Sequence, residues 1–332
     1  MEKILKIGVI GAGGRTGTMF ARELKKIGKV FGIAKEREVD LGQRGKIFVK
    51  NERGKEKLEI EWIKDREFPK EFEFDFLFLT VPNPVKNVVK FYFQKIKEKN
   101  LKITILFLSQ NGIEAAEDAI LALEEIFGKK EISIFRISLF NPVDKKVEDE
   151  KIVIEYSLPI RMGLAKVSGR EDEEKIEKIL RKAGFEIYLV SQKERKNMEY
   201  SKLFLNLIGI ASATHGFSIF EGFSKKEIFK EEILALREYI KVVKKKGGKF
   251  LNFPHYPVKT FSLLFYLPFF LLVPFRKKLA QIIEKGRKGK PKDLREIEYY
   301  NGAVVKLGKE VNIKVEINAK ILKRAKLCLS KE

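Results

Sequence analysis

A glycine-rich turn near the start of the chain restricts the possible folds more than any other feature. Leu5–Ile10 (LKIGVI) is a short apolar run of the kind that forms a buried strand, and Gly11-Ala12-Gly13-Gly14-Arg15-Thr16-Gly17 follows at once. Residues 18–27 then place Phe20, Leu24 and Ile27 on one helical face. Strand, glycine turn and helix in that order form the dinucleotide-binding arrangement. Gly11 permits the tight turn, and Gly13 lets a pyrophosphate approach the backbone. The amides at the helix start then meet its negative charge. The third glycine of a strict G-x-G-x-x-G is replaced by Thr16, with Gly17 one position later, while Gly11, Gly14 and Gly17 give an overlapping G-x-x-G-x-x-G. Either phasing supports a dinucleotide and makes Ala12, Gly14, Arg15 and Thr16 candidate contacts beside Gly11 and Gly13.

The alternation continues. Residues 29–34, 74–81, 103–108, 132–137, 151–156 and 187–190 read as strands, and residues 114–127 as a helix. Repeated strand–helix crossovers predict a doubly wound parallel sheet of α/β class. From Asn197 the pattern becomes helical, with candidates at 197–212, 225–246, 276–285, 294–311 and 319–329. The polar stretch 191–194 marks the boundary, giving a nucleotide-binding domain over 1–193 and a helical domain over 194–332.

Composition excludes several classes. A single cysteine, Cys328, rules out a disulfide scaffold and a cysteine-rich zinc site, and two histidines leave little room for a metal centre. The net charge of +22 comes from Lys and Arg intermixed with Glu along the whole chain, without zinc-finger or RNP-type spacing, so no nucleic acid is expected as a partner. The N-terminal run meets glycines and Arg15 rather than a cleavage site, and a cytoplasmic protein is expected. Residues 260–275 (TFSLLFYLPFFLLVPF) are the longest apolar stretch, too short and too proline-broken to span a bilayer. They read as core or a subunit interface, with a bilayer-resting surface over 260–278 as the sharper alternative, since Arg276, Lys277 and Lys278 follow.

Five further features carry chemistry. After the second strand the chain reads Ala34-Lys35-Glu36-Arg37; Lys35 and Arg37 can neutralise a 2′-phosphate, favouring NADP(H), while Glu36 can accept from a ribose hydroxyl as NAD(H) sites require. Ser109-Gln110-Asn111-Gly112 ends a buried strand, where open α/β sheets bind ligands; an Asn-Gly pair there is also a common turn. Lys202 and Asn206 are four apart on a helix, hence on one face. Burial or a neighbouring cation would lower the lysine pKa toward that of a usable proton donor, whereas an exposed or ion-paired lysine is the plainer reading. Glu296 opens the last helical region, as an N-terminal helix charge or a substrate anchor. His215, in Ala213-Thr214-His215-Gly216, is either a substrate neighbour or a structural histidine.

Taken together, the glycine turn, Lys35, Gln110-Asn111-Gly112, Lys202-x-x-x-Asn206 and Glu296-Ile297-Glu298-Tyr299-Tyr300-Asn301-Gly302 resemble the ketopantoate reductase (2-dehydropantoate 2-reductase) family over nearly the whole chain, in the same order. The resemblance implies a Rossmann domain holding NADPH, a helical domain over the cleft, and hydride transfer to the ketone carbon of a 2-oxo acid. It implies that Lys202 protonates the alkoxide, that Asn206 and Asn111 orient substrate or cofactor, and that Glu296 bonds a substrate hydroxyl. It also sets Val81 and Pro82 in the cofactor-facing turn, and a homodimer is expected. The substrate side departs from the family. Pro82 stands where a lysine is common, residues 278–284 lack a serine, Ile210 replaces a second asparagine, and the loop 287–295 is longer.

Overall fold

β1 (Leu5–Ile10) passes through the glycine turn into α1 (Arg15–Leu24), followed by β2 (Gly28–Ala34) and α2 (Glu36–Gln43). Three short strands come next, β3 (Ile47–Asn51), β4 (Gly54–Lys57) and β5 (Glu61–Lys64). β6 (Glu73–Leu79), α3 (Val85–Glu98), β7 (Lys102–Leu108) and α4 (Ala115–Phe127) continue the alternation. β8 (Ser133–Leu139), β9 (Val143–Glu148), β10 (Lys151–Tyr156), β11 (Ile160–Ser168), α5 (Glu173–Lys182) and β12 (Phe185–Val190) follow. The computed structural model describes residues 4–69, 72–128, 132–284 and 289–330, in two compact units, Met1–Arg195 and Lys196–Glu332.

The first unit is built on an eight-stranded sheet of order β12-β11-β8-β7-β6-β1-β2-β5. From β1 the chain goes to β2 on one side and then returns to β6 on the other, so the strand order reverses between β1 and β6. Such a reversal opens a crevice at the carboxyl ends of the two strands. Pairing is parallel from β5 to β8 and again between β11 and β12, but β8 and β11 are antiparallel. The hairpin of β9 and β10 lies between β8 and β11 in the chain, and it returns the backbone to the end where β8 stopped.

β3, β4, β9 and β10 form a second sheet, order β4-β3-β10-β9, three of whose strands have no counterpart in the sequence pattern. β4 is fully exposed (GKEK) and β9 is mostly charged (VDKKVE), so neither makes an apolar run. The β9–β10 turn uses Asp149 and Glu150, both at positive φ, in place of the glycine or asparagine that usually announces such a turn.

Side chains split by strand period. Phe76 and Phe78 face a core shared with Phe20, Phe107, Phe135 and the second sheet's Ile47, Val49, Ile152 and Ile154. Leu77 and Leu79 face the opposite core, under Val85, Val89 and Phe93 of α3 and the alanines of α4. Phe78 and Phe107 stack at 4.3 Å, with Phe76 edge-on to Phe107 at 5.4 Å.

The second unit is helical among its described residues: α6 (Arg195–Leu207), α7 (Ile210–Thr214), α8 (Ile219–Ser224), α9 (Lys226–Lys245), α10 (Val258–Leu264), α11 (Phe269–Leu272), α12 (Arg276–Glu284), α13 (Asn301–Glu310) and α14 (Glu316–Leu329). α9 buries Phe229, Ile233, Leu236, Tyr239, Ile240 and Val243 along one face. Two of the expected helices are broken. The 197–212 helix stops at Leu207 and restarts at Ile210, and the 294–311 region is a 3-10 turn (Ile297–Tyr299) followed by α13. The apolar stretch 260–275 is divided by Pro268 and Pro274, burying Phe265 and Leu272 while leaving Phe270 and Phe275 71% and 61% exposed. No helix among the described residues is long and apolar enough to cross a membrane. The end of the expected 276–285 helix, and the loop through residue 288, lie outside the described residues.

Truncating Phe107, which contacts three rings in the first core, is expected to cost about 3–5 kcal/mol. Denaturant unfolding of Phe107→Ala, followed by far-UV circular dichroism, measures it.

Candidate functional site

In the first unit, the loops after β1, β6 and β7 converge. Gly11 has φ +87°, and its N–H donates to Ile33 O at 2.8 Å. A Cβ on Gly17 would lie 2.1 Å from Gly11 O, so Gly17 is the glycine that allows α1 to pack on the turn. The working set is therefore Gly11, Gly13 and Gly17, with the third glycine displaced by one position from the strict motif. Thr18 Oγ1 donates to Ala12 O at 2.7 Å and fixes the turn from the helix side. α1 starts at Arg15 with no capping side chain on Gly14 and no acidic residue in its first turn. Its N-terminal dipole is thus left for an external anion.

Gly13 is enclosed by two side chains that the sequence did not single out. A Cβ there would meet Glu38 at 2.4 Å, and Lys145 Nζ of β9 donates to Gly13 O at 3.2 Å. The Glu38 Oε2 atom is buried without a hydrogen-bond partner. A backbone that admits no side chain, an uncapped helix start and a buried acceptor fit a ligand carrying phosphate and ribose.

The loop after β6 is tied to the glycine turn. Thr80 donates to Ile10 O through its N–H at 3.0 Å and its Oγ1 at 2.7 Å. Val81 is half-buried and Pro82 exposed. Asn83 Nδ2 donates to Asn111 O at 3.0 Å, and Gln110 Nε2 to Leu79 O and Val81 O at 3.0 and 3.1 Å. Arg136 on β8, 2% exposed, holds this loop from beneath. Its guanidinium donates to the carbonyls of Leu108 (3.0 Å), Ile137 (2.9 Å), Gly112 (3.0 Å) and Gln110. A buried cation of this kind is tolerable only when its donors are satisfied. In the amino-acid sequence it is only an arginine within an expected strand, with no motif around it.

After β2, Lys35 stands at the N-cap position of α2 without a capping side-chain bond and is exposed, as is Arg37. Glu36 turns to Lys64 at 2.8 Å, and that cation holds its carboxyl below the ordinary range. Lys86, four residues after Pro82, pairs with Glu125 on α4 at 3.1 Å.

In the second unit, Lys202 and Asn206 lie half-buried on α6, one turn apart. Glu296 precedes the Ile297–Tyr299 turn, and Tyr300 Oη donates to its Oε2 at 2.9 Å. Ile210 is buried with Ala211, Ile297, Ile321 and Ala325, which makes the position of the missing asparagine a core position. His215 follows α7 and bonds Glu231 at 3.3 Å, and Glu231 also receives Arg324. No cluster suited to a metal ion occurs among the described residues.

No family model matches the chain, and no curated relative matches it in sequence. Solved structures do match its fold. A ketopantoate reductase from Ralstonia eutropha JMP134 superposes with TM-score 0.75 at 13% identity, covering 98% of this chain and 99% of that one. A D-mandelate dehydrogenase in complex with NADH and anilino(oxo)acetate gives 0.70 at 14%, covering 97% and 98%. A dimeric ketopantoate reductase from Staphylococcus aureus gives 0.63 at 16%, covering 97% and 98%. The fold is that of the ketopantoate reductases.

Glu232 on α9 is buried, and desolvation pushes its carboxyl up from 4.5 to about 7, against the opposing pull of the Gly209 N–H and Lys292. The folded chain then holds a proton between those values that the unfolded chain has released. The resulting stability is full below pH 4.5 and lost as pH rises through about 7. Thermal melts are expected to fall across that window by the equivalent of up to about 3 kcal/mol, and the fall should flatten in Glu232→Gln.

Proposed function

We propose that this chain is an NADP(H)-dependent reductase of 2-oxo acids, with 2-dehydropantoate as its first candidate substrate. The observation that carries the reading is the glycine cradle at the β1/β6 reversal, with an uncapped α1 and side chains excluded at Gly11, Gly13 and Gly17. The cofactor-binding set is Gly11, Ala12, Gly13, Gly14, Arg15 and Thr16, with Lys35, Arg37, Val81, Pro82 and Asn111. NADP(H) is favoured over NAD(H) because Glu36 is engaged by Lys64, while Lys35 and Arg37 have no carboxylate partner among the described residues.

When bound, the nicotinamide supplies a hydride to the ketone carbon. Lys202 donates the proton to the carbonyl oxygen, and its cation stabilises the negative charge that develops there. Asn206 orients the substrate and Asn111 the cofactor ribose. Glu296, which accepts from Tyr300 at Oε2, bonds a substrate hydroxyl. His215, held beside Glu231 at 3.3 Å, is the remaining candidate on the substrate side.

A second reading, a reductase of the same fold acting on another 2-oxo acid, is favoured by Ile210 in the core and by Pro82 in place of the family lysine. The test is NADPH oxidation with 2-dehydropantoate and a panel of 2-oxo acids. Turnover that falls by about 10³-fold or more in Lys202→Ala, with NADPH affinity kept, is expected. Tight NADPH binding without turnover on the whole panel would instead mean a cofactor-binding protein that does not catalyse.

We read the exposed apolar residues over 263–282 as the contact between two copies of the chain. Leu263, Tyr266, Leu267, Phe270, Leu271, Phe275 and Ile282 are all exposed. At ~200 Å² for a large side chain, about half exposed, they leave about 700 Å² of apolar surface, close to the ~800 Å² each partner gives a standard interface. Light scattering should give a dimer, and the Phe270→Glu, Phe275→Glu double variant a monomer. A wild-type monomer that binds anionic vesicles would assign the face to a lipid surface instead.

A further inference from the structure

Two ionisable side chains outside the set above are buried where the Lys202 helix ends. Lys292, 9% exposed, comes from the segment before Asp293, and Glu232, 2% exposed, from α9. They grip the two sides of one helix break. Lys292 Nζ donates to Leu205 O at 3.0 Å and to Asn206 O at 2.7 Å. These carbonyls lie in the last turn of α6, beside the point where the helix stops supplying intrahelical donors. Glu232 Oε1 accepts from Gly209 N–H at 2.6 Å and its Oε2 from Ser212 N–H at 3.4 Å, where α7 begins. A cation at the carboxyl end of α6 matches its dipole, and the Glu232 carboxyl group satisfies backbone amides that the start of α7 leaves without intrahelical partners.

The break between them is narrow. α6 stops at Leu207 and α7 starts at Ile210, with Gly209 at φ +89°. The helical pattern of the sequence runs through this point without interruption, so local propensity does not place the break. A Cβ on Gly209 would lie 2.5 Å from Ile219, which leaves the glycine as the one residue able to turn there. Asn206 belongs to the last turn before the break, and its own carbonyl is one of the two that Lys292 holds. Beyond it, Leu207, Ile208 and Ile210 are buried and apolar. Asn206 is therefore the final polar group of this stretch, and the end of the helix fixes its direction.

We propose that Lys292 and Glu232 are positioning residues that fix the end of α6 and thereby set Asn206 one turn from Lys202. This inference rests on the reading of Lys202 and Asn206 as substrate-side residues. Lys292 acts through the Asn206 backbone and needs no contact with substrate. Lys292 also gives the described segment 289–295 a role, since that segment delivers the ammonium group to the helix end.

A double-mutant cycle between Lys292→Met and Asn206→Ala, with turnover of NADPH and 2-oxo acid as the readout, tests it. Lys292→Met should lower kcat/KM for the 2-oxo acid by roughly 10- to 100-fold, with the NADPH Kd unchanged. Lys292→Arg should recover part of the loss. In the Asn206→Ala background, Lys292→Met should add little, because the group it orients is already gone. Equal effects in the two backgrounds, or a lower melting temperature with kcat/KM unchanged, would overturn the proposal. If Lys292→Met does not fold, Lys292→Gln, whose shorter side chain falls back from the two carbonyls, takes its place in the cycle with the same two outcomes. Full activity in both Lys202→Ala and Asn206→Ala would instead defeat the underlying functional reading.

Discussion

The candidate cofactor site depends on a buried arginine that donates to four backbone carbonyls. Arg136 holds Leu108, Gln110, Gly112 and Ile137, and through them the loop that carries Asn111. Gln110 reaches across to Leu79 and Val81, and Thr80 reaches Ile10, so three strand ends are joined into one surface. Bonds to a charged donor in a dry interior are stronger than neutral ones and leave the loop few alternative conformations. The glycine turn can then be shaped for close backbone approach, since its rigidity is supplied by its neighbours.

The second unit meets the same demand by a different route. Its candidate proton donor sits on a helix whose end is set by two long-range side chains rather than by local sequence. A buried ammonium and a buried carboxyl group are costly, and each is retained here with backbone partners of the right polarity. Both units thus spend buried ionisable groups on backbone geometry close to the residues proposed to act.

The glycine turn, the apolar strands and the order of the later segments were legible because each depends on a local pattern. Leu5–Ile10 and 74–81 are continuous apolar runs, and Gly11–Gly17 needs no partner to be recognised as a turn before a helix. The second sheet was not legible, since β4 and β9 are charged and bury little. Neither was the break at Gly209, because an isolated glycine in a helical pattern does not reveal that Lys292, 83 residues later, will meet the helix end. Arg136, Glu38 and Lys145 were missed for the same reason: their roles exist only after distant strands come together. The choice between the two glycine phasings also needed the fold, in which Gly17 rather than Thr16 lies against Gly11.

The proposed reaction is hydride transfer from a nicotinamide to the C2 carbon of a 2-oxo acid. It is tested most directly with NADPH carrying deuterium at both C4 positions, with the product analysed by mass spectrometry. Hydride transfer gives a 2-hydroxy acid bearing one deuterium at C2. A product without deuterium, or no consumption of NADPH with 2-dehydropantoate or any other 2-oxo acid, would contradict it.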